Sequence, residues 1–200
     1  MIALEAQQDR AVAERVLDRN DERWRRLRKL VSEHSLIAGD FKLSSGRRSR
    51  YLFQLRQTTM LPEGAALLGE VILEYMCQHS IQGIGGLELG AVPLVSSVAV
   101  VSQIKGSPIN AFFVRKLAKE HGAQERIDGH LRDGAEVLMV DDVATTGGSI
   151  LKAIEGMGGH GAYVRRALAV VDREEGAAGN LAKQGIQLAA IFKRSDFPEI

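Results

Sequence analysis

The chain has 200 residues, of which 45% are hydrophobic, and its 26 basic and 25 acidic residues leave a formal net charge of +1. This length fits one domain with a modest appendage, and the balanced charge excludes a broad electrostatic field for nucleic acid or an anionic membrane. The first ten residues lack an apolar core of signal-peptide length, and no later run is as long as a membrane span, so we expect a cytoplasmic protein.

Residues 8–33 have a helical pattern, in which apolar residues such as Trp24 and Leu27 are spaced among charged ones. A basic cluster lies within it, formed by Arg23, Arg25, Arg26, Arg28 and Lys29. No second basic segment accompanies this cluster, so we interpret it as a solvated helix face and not as a nucleic-acid site. We predict an amino-terminal helical extension over residues 1–34, followed by one domain over residues 35–200.

The next segments are predicted to be extended and then helical. Phe41, Leu43 and residues 51–55 look extended, and the sequence Ser44-Ser45-Gly46 between them is turn-like. Pro62 can open a helix that continues through His79.

Cys77 is the single cysteine of the chain, which excludes an internal disulfide. It follows the apolar pattern of residues 67–76, where a buried structural thiol is a more natural interpretation than a nucleophile.

The rest of the chain alternates between short apolar runs and helical patterns. Strands are predicted near residues 83–86, 109–114, 136–140, 163–171 and 186–192, and helices near residues 92–103, 150–157 and 177–184. This alternation predicts an α/β fold, in which a mostly parallel central sheet is flanked by helices on both faces.

Three glycines in this region match the spacing of a dinucleotide-binding loop. Gly156, Gly158 and Gly161 fit G-x-G-x-x-G, but they follow a helix and precede a strand, whereas the dinucleotide fingerprint needs the strand first. We interpret them as a helix C-cap and an αβ turn.

The most informative stretch covers residues 137–149. Four apolar residues predict a strand buried on both faces, and Asp141 and Asp142 follow at its carboxyl end, where open α/β sheets bind ligands. The next turn offers hydroxyl and backbone N–H groups that can hold a phosphate, from Thr145, Thr146, Gly147, Gly148 and Ser149. Either part alone fits a solvated strand end or a helix cap, but together they predict a sugar-phosphate site. The turn is not a P-loop, because it lacks the Gly-Lys-Ser/Thr ending.

A polar interval separates the strands predicted at residues 109–114 and 136–140. Its charged residues include Arg115, Lys116, Lys119 and His121. Alone, such an interval is a solvated loop, but beside an acidic strand end and a phosphate turn its cations suit a polyanionic ligand.

Three segments together resemble the orotate phosphoribosyltransferases, which are type I phosphoribosyltransferases. Residues 41–51 are similar to the orotate-site segment of that family, residues 113–122 to its catalytic loop, and residues 137–149 to its signature for phosphoribosyl pyrophosphate (PRPP), followed by Asp172-Arg173-Glu174. The resemblance covers about residues 30–198. It implies the type I phosphoribosyltransferase fold, with a small amino-terminal hood near residues 40–56.

The resemblance also implies which residues form the site. Catalytic positions would be Lys119, His121, Asp141 and Asp142. PRPP-binding positions would be Arg115, Lys116, Lys119, His121, Asp141, Asp142, Val143, Ala144, Thr145, Thr146, Gly147, Gly148 and Ser149. Orotate-binding positions would be Phe53, Thr145 and Arg173. The chain departs from some family members at Ser44, where they have lysine, at Arg50, where they have proline, and in residues 86–91, which contain no lysine.

The implied activity is transfer of the phosphoribosyl group of PRPP to orotate, which gives orotidine 5′-monophosphate and pyrophosphate in de novo pyrimidine (UMP) biosynthesis. The resemblance implies Mg²⁺ held through PRPP and not directly by the protein, no nucleic-acid or membrane partner, and a homodimer that shares the catalytic loop between subunits. Two alternatives stay open: a phosphoribosyltransferase for another base, and a non-catalytic PRPP-binding regulator.

Overall fold

A computed structural model describes residues 11–42, 48–117 and 126–200 of the chain. The strands in these ranges are β1 (Glu14–Arg15), β2 (Leu36–Lys42), β3 (Arg48–Phe53), β4 (Gly83–Gly86), β5 (Asn110–Val114), β6 (Ile127–Gly129), β7 (Glu136–Ala144), β8 (Tyr163–Asp172) and β9 (Gln187–Lys193). Seven of them form one sheet in the order β1-β9-β8-β7-β4-β5-β6. Neighbouring strands are parallel except for β6, which is antiparallel to β5.

The helices in the same ranges are α1 (Glu22–Leu30), α2 (Arg56–Thr59), α3 (Pro62–Gln78), α4 (Ala91–Ile104), α5 (Gly148–Gly156) and α6 (Ala177–Ala182). Local sequence explains two of the starts. The side chain of Asp21 caps α1 by accepting the N–H of Arg23 at 2.8 Å, and Pro62 opens α3, where a missing N–H costs nothing. None of the helices described is both long and apolar enough to cross a membrane.

The core lies on both faces of the sheet, and strand β7 separates its two halves. Leu138 and Val140 pack on one face with residues of α3 and α4, including Leu68, Ile72, Leu94 and Val98. Val137 and Met139 pack on the other face with residues of α5 and α6, including Ile150, Ala153 and Leu181. Side chains alternate between the faces of a strand, so an unbroken apolar run is buried on both. The predicted α/β fold, with helices on both faces of a mostly parallel sheet, is confirmed.

Strands β2 and β3 form a separate antiparallel pair where the hood was expected. The pair is joined to the core through Phe53, whose ring lies 5.1 Å from that of Phe197. Residues 43–47, which include the predicted turn and the departure at Ser44, lie outside the described residues. The boundary between an extension and a domain at residue 34 stays a prediction.

The prediction of one helix over residues 8–33 is wrong in its first half. Glu14 and Arg15 instead pair with Ala189 and Ala190 of β9, and α1 begins only at Glu22. The edge of β9 offers backbone hydrogen bonds that an isolated amphipathic pattern does not reveal. Polar residues then favour a turn, in which the N–H of Asn20 donates to Asp18 Oδ1 at 2.7 Å.

The prediction that Cys77 is buried is also wrong, because its side chain is exposed. Cys77 lies near the end of α3, three residues after the exposed Glu74, whereas Tyr75 and Met76 face the core. The helical period therefore places Cys77 on the solvent face.

Candidate active site

Strand β7 carries two acidic residues beyond its apolar core. The strand continues through both of them, since Asp141 pairs with Ala169 and Ala144 pairs with Asp172. Asp141 is 8% exposed, and its Oδ1 accepts the N–H of Asp142 at 3.0 Å. The Oδ1 atom of Asp142 accepts the N–H of Val143 at 2.9 Å. The carboxylates are therefore fixed by the backbone of the strand that carries them.

Asp141 is electrostatically unusual. Burial, followed by the negative charge of Asp142, raises the pKa of the Asp141 carboxyl well above its ordinary value of 3.8, although a hydrogen bond with Ser149 acts in the opposite direction. A buried acid beside a second acid is stabilised by a ligand that donates hydrogen bonds or carries positive charge. Sugar hydroxyls and a cationic sugar ring are ligands of this kind.

The turn after β7 leads into the first turn of α5. Gly147 precedes the helix with a φ of +80°, a left-handed conformation that favours glycine. The side-chain amide of Asn180 supports the turn by donating to Thr146 O at 3.0 Å. The first N–H groups of α5 have no partner within the helix, and they form its positive end. Together with the exposed hydroxyls of Thr146 and Ser149, this end can hold a phosphate.

The acid pair and the start of α5 open into one cleft of about 350 Å³, which we call the acid-pair cleft. It is lined by Leu52, Phe53, Gln54, Leu55, Arg56, Leu87, Glu88, Leu89, Gly90, Lys116, Asp141, Asp142 and Ser149. The structure thus brings together five of the residues singled out in the sequence: Phe53, Lys116, Asp141, Asp142 and Ser149.

Residues 87–90, which line the cleft between β4 and α4, were noted in the sequence only as part of a segment without a lysine and were assigned no role. Strand β4 is the parallel neighbour of β7, so the ends of both strands lie at the same edge of the sheet. The available signals were Gly86 just before this segment, Gly90 at its end, and the departure from the lysine of some family members. The peptide bond between Glu88 and Leu89 is cis.

Two of the four predicted cationic residues, Arg115 and Lys116, lie in the described part of the chain, and their side chains have different surroundings. Lys116 lines the acid-pair cleft, whereas the Arg115 guanidinium forms an ion pair with Asp128 and lies 6.0 Å from the ring of Phe113. Lys119 and His121 lie outside the described residues.

Arg173 lies in a second cleft of about 430 Å³, the arginine cleft, lined by Arg48, Ser49, Arg50, Tyr51, Arg173, Glu175, Arg194 and Ile200. The Arg173 side chain is 5% exposed. Its Nε donates to Glu175 Oε1 at 2.7 Å, its Nη2 donates to Ser49 Oγ at 3.3 Å, and its guanidinium lies 4.6 Å from the ring centre of Tyr51.

The three predicted orotate-binding residues are therefore not brought into one cleft. Phe53 lines the acid-pair cleft, Arg173 lines the arginine cleft, and Thr145 lines neither. The two clefts are neighbours along β3, which contributes residues to both. Among the other predicted positions, Ala144 is 1% exposed, so its contribution to a site would come from its backbone.

Within residues 11–42, 48–117 and 126–200, no group of three or more His, Cys, Asp or Glu side chains is placed to hold a metal ion.

Comparisons with known proteins agree with this geometry. The family model for the phosphoribosyl transferase domain matches residues 60–186. An orotate phosphoribosyltransferase of Bradyrhizobium sp. strain BTAi1 is 46% identical over 176 residues, which cover 86% of this chain and 95% of that protein. An orotate phosphoribosyltransferase of Aquifex aeolicus is 42% identical over 174 residues, which cover 86% of this chain and 95% of that protein.

Solved structures give the same result. The crystal structure of Mycobacterium tuberculosis orotate phosphoribosyltransferase with Fe(III) dicitrate has a TM-score of 0.77 and 35% identity, and covers 88% of this chain and 99% of its own. The same protein in complex with PRPP has a TM-score of 0.72 and 33% identity, with coverage of 87% and 98%. The identity, the coverage and the shared fold show that this chain belongs to the orotate phosphoribosyltransferase family.

Proposed function

We propose that this protein transfers the phosphoribosyl group of PRPP to orotate, and so makes orotidine 5′-monophosphate and pyrophosphate for pyrimidine biosynthesis. The observation that carries the proposal is the acid-pair cleft, where Asp141 and Asp142 lie with Ser149 at the start of α5 and with Lys116. Membership of the family and the PRPP complex of the M. tuberculosis relative support the choice of substrates.

PRPP would bind along the edge of the sheet at β7. In this proposal Asp141 and Asp142 accept hydrogen bonds from the ribose hydroxyls, and residues 143–149 bind the 5′-phosphate through N–H and hydroxyl groups. Arg115, Lys116, Lys119 and His121 act on the pyrophosphate group. For Arg115 to do so, its guanidinium must exchange Asp128 for phosphate oxygens.

In the reaction, N1 of orotate bonds to C1 of PRPP while the bond from C1 to the pyrophosphate oxygen breaks. The electron pair of that bond leaves with pyrophosphate, and the proton on N1 of orotate passes to water or to the departing pyrophosphate. The sugar becomes cationic as this bond breaks, so the negative charge near Asp141 and Asp142 stabilises the transition state. Lys116 and Lys119 would stabilise the charge that develops on the leaving group. His121 has two possible roles, as a hydrogen-bond donor and as a proton donor.

Magnesium would enter bound to PRPP, whose phosphates supply the oxygen ligands that this ion prefers. The residues of the cleft fit such a complex, because Lys116 adds a cation for the phosphates, while Asp141 and Asp142 are assigned to the ribose hydroxyls and leave the ion to the oxygens of PRPP. When bound in this way, magnesium neutralises part of the charge on pyrophosphate.

Orotate would bind between the hood and the sheet, with Phe53, Thr145 and Arg173 as its contacts. A planar guanidinium can hold a carboxylate through two parallel hydrogen bonds, which suits Arg173 to the carboxylate of orotate. Strand β3 gives Leu52 and Phe53 to one cleft and Ser49 and Tyr51 to the other, so our proposal places orotate beside β3, next to both clefts.

We also propose a cytoplasmic homodimer, in which the catalytic loop of each subunit acts at the site of the other. Size-exclusion chromatography with light scattering measures the mass of the particle in solution, which should be that of two chains. Mixing Lys119→Ala and Asp141→Asn subunits tests the shared site, since a hybrid dimer would contain one intact site and regain activity. Failure to regain activity in confirmed hybrids would contradict the shared loop.

The central test follows the absorbance of orotate after purified protein is mixed with orotate, PRPP and magnesium, with a magnesium-free control. We expect orotate to be consumed at a rate that depends on PRPP. Consumption of uracil or a purine in place of orotate would show that orotate is not the base that this protein uses. PRPP binding with no base consumed would favour a regulator.

A further inference from the structure

Lys116 enters the acid-pair cleft from a backbone that is held on both sides. Its N–H donates to Glu88 Oε1 at 2.9 Å, and its C=O accepts a hydrogen bond from Arg126 Nη2 at 3.4 Å. Arg126 Nε also donates to the C=O of Arg115 at 3.1 Å, and the N–H of Arg115 donates to the C=O of Arg126 at 2.7 Å. The peptide units on both sides of the Lys116 Cα are therefore bound to other parts of the chain.

Glu88 is itself anchored to the strand that precedes Lys116. The N–H of Glu88 donates to the C=O of Val114 at 2.9 Å, and Leu87 forms a parallel bridge with Val114. Glu88 therefore links the segment after β4 to the end of β5. Its side chain turns back to the first residues that leave β5.

The charge of Glu88 needs an explanation. A carboxylate that lines a cleft for phosphates repels them, and in some family members this segment carries a lysine instead. An acceptor for the Lys116 N–H explains why a carboxylate is tolerated there. The carboxylate also lies near a cation that can offset its charge, because Lys116 lines the same cleft.

We propose that Glu88 is a positioning residue for PRPP binding: it holds the Lys116 backbone so that the Lys116 side chain points into the acid-pair cleft. Arg126 holds the same residue from the carbonyl side. The inference rests on the proposed function, because it assigns Lys116 to the phosphates of PRPP. The acceptor oxygen of Glu88 matters in this role, and its negative charge does not.

The test is calorimetric binding of PRPP with magnesium to the full-length wild type, Glu88→Ala and Glu88→Gln. Loss of a hydrogen bond to a charged acceptor should weaken PRPP binding about tenfold in Glu88→Ala, and Glu88→Gln, which keeps an acceptor oxygen, should restore affinity to within about threefold. Steady-state kinetics should show the same rise in KM for PRPP with little change in KM for orotate. Glu70→Ala, which removes the exposed partner of Lys105, is the matched control.

A double-mutant cycle asks whether Glu88 acts through Lys116. Glu88→Ala should weaken PRPP binding little further in a Lys116→Met background. An unchanged affinity in Glu88→Ala, an equal loss in Glu88→Gln, or full additivity with Lys116→Met would each overturn the proposal.

If thermal unfolding shows that Glu88→Ala does not fold, Arg126→Met removes the opposite contact and should weaken PRPP binding in the same way. A wild type that neither binds PRPP nor consumes orotate would refute the proposed function, whereas an active wild type with an unaffected Glu88→Ala would refute only the positioning role.

Discussion

Gly90 lies directly against the carboxylate of Asp142. A Cβ atom built on Gly90 would be 2.6 Å from Asp142 Oδ1 and 2.8 Å from its Cγ, which is closer than non-bonded carbon and oxygen atoms approach. Glycine at this position therefore allows Asp142 to keep its hydrogen bond with the N–H of Val143. The segment after β4 and the acid pair on β7 are in this way fitted to each other.

We predict that Gly90→Ala folds but binds PRPP at least about tenfold more weakly. The methyl group meets the end of a side chain that can rotate, so the carboxylate moves and the fold persists. Calorimetric titration of PRPP with magnesium measures the affinity, and thermal unfolding measures the fold. Gly159→Ala is the control, because a Cβ there has no heavy atom within 4 Å. Wild-type affinity in Gly90→Ala would show that the position of Asp142 does not matter.

Asp141 should make the ligand-free protein less stable as the pH rises. Its pKa is raised above 3.8 by burial and by Asp142, so between 3.8 and the raised value the native state binds more protons than the unfolded chain. The free energy of unfolding therefore decreases with pH across that interval, by about 1.4 kcal/mol for each unit by which the pKa is raised. Asp141→Asn cannot ionise, and it should be more stable than the wild type at pH 7 and nearly equal to it near pH 3.

Urea unfolding of the wild type and Asp141→Asn from pH 3 to pH 8 checks this expectation. Glu155→Gln, at an exposed position on α5, is the control and should leave the pH profile unchanged. The orotate assay should show turnover at least about a hundredfold lower in Asp141→Asn. A stability difference that does not grow with pH would contradict the role of burial.

Local pattern was sufficient where an element is determined by its own residues. The apolar run that ends at Val140 predicted β7. The position of Gly156 and Gly158, after a helical pattern and before a strand, predicted the end of α5 and the following turn. The structure confirms both: α5 ends at Gly156, and Gly158 has a φ of +58°. Acids in β7 were predicted to follow the strand, because a charged residue usually ends a buried run, yet β7 continues to Ala144.

Elements that depend on a distant partner were not predictable in this way. Strand β1 forms because β9 offers an edge 175 positions away in the register that pairs Glu14 with Ala189. Strand β6 has three residues, too few to show a period, and exists through its pairing with β5. The contact between Glu88 and Lys116 likewise joins residues 28 positions apart, so only the fold reveals it.

We predict that Arg173 determines orotate affinity. Arg173→Lys should raise the KM for orotate at least about tenfold with little change in the KM for PRPP, because a lysine cannot make the parallel bonds of a guanidinium. It should also lower the melting temperature, since the partly buried Glu175 loses its hydrogen bond from the Arg173 guanidinium. Arg165→Lys, an exposed arginine on β8, is the control. Equal changes in both KM values would show that Arg173 acts on the fold and not on the base.

Asp196 joins the amino-terminal segment to the end of the sheet. Its side chain is completely buried, and it accepts two bonds from Arg15 at 2.9 and 3.1 Å, one from Arg19 at 2.5 Å and one from the N–H of Lys193 at 2.8 Å. Burial by itself would raise the pKa of Asp196, but these hydrogen bonds outweigh burial and lower the pKa below its ordinary value of 3.8.

We predict that Asp196→Ala lowers the free energy of unfolding by about 2–3 kcal/mol at pH 7. This loss is somewhat smaller than the loss when a fully buried ion pair is broken, because both arginines are partly exposed. A lowered pKa contributes stability that is fully present above pH 3.8 and disappears as the pH falls through the lowered value. The difference between the wild type and Asp196→Ala in urea unfolding should therefore shrink below about pH 4. Asp40→Ala, which breaks the exposed pair with Arg48, should cost less than about 1 kcal/mol. If both variants lose the same stability, β1 is held by its backbone pairing with β9 and not by Asp196.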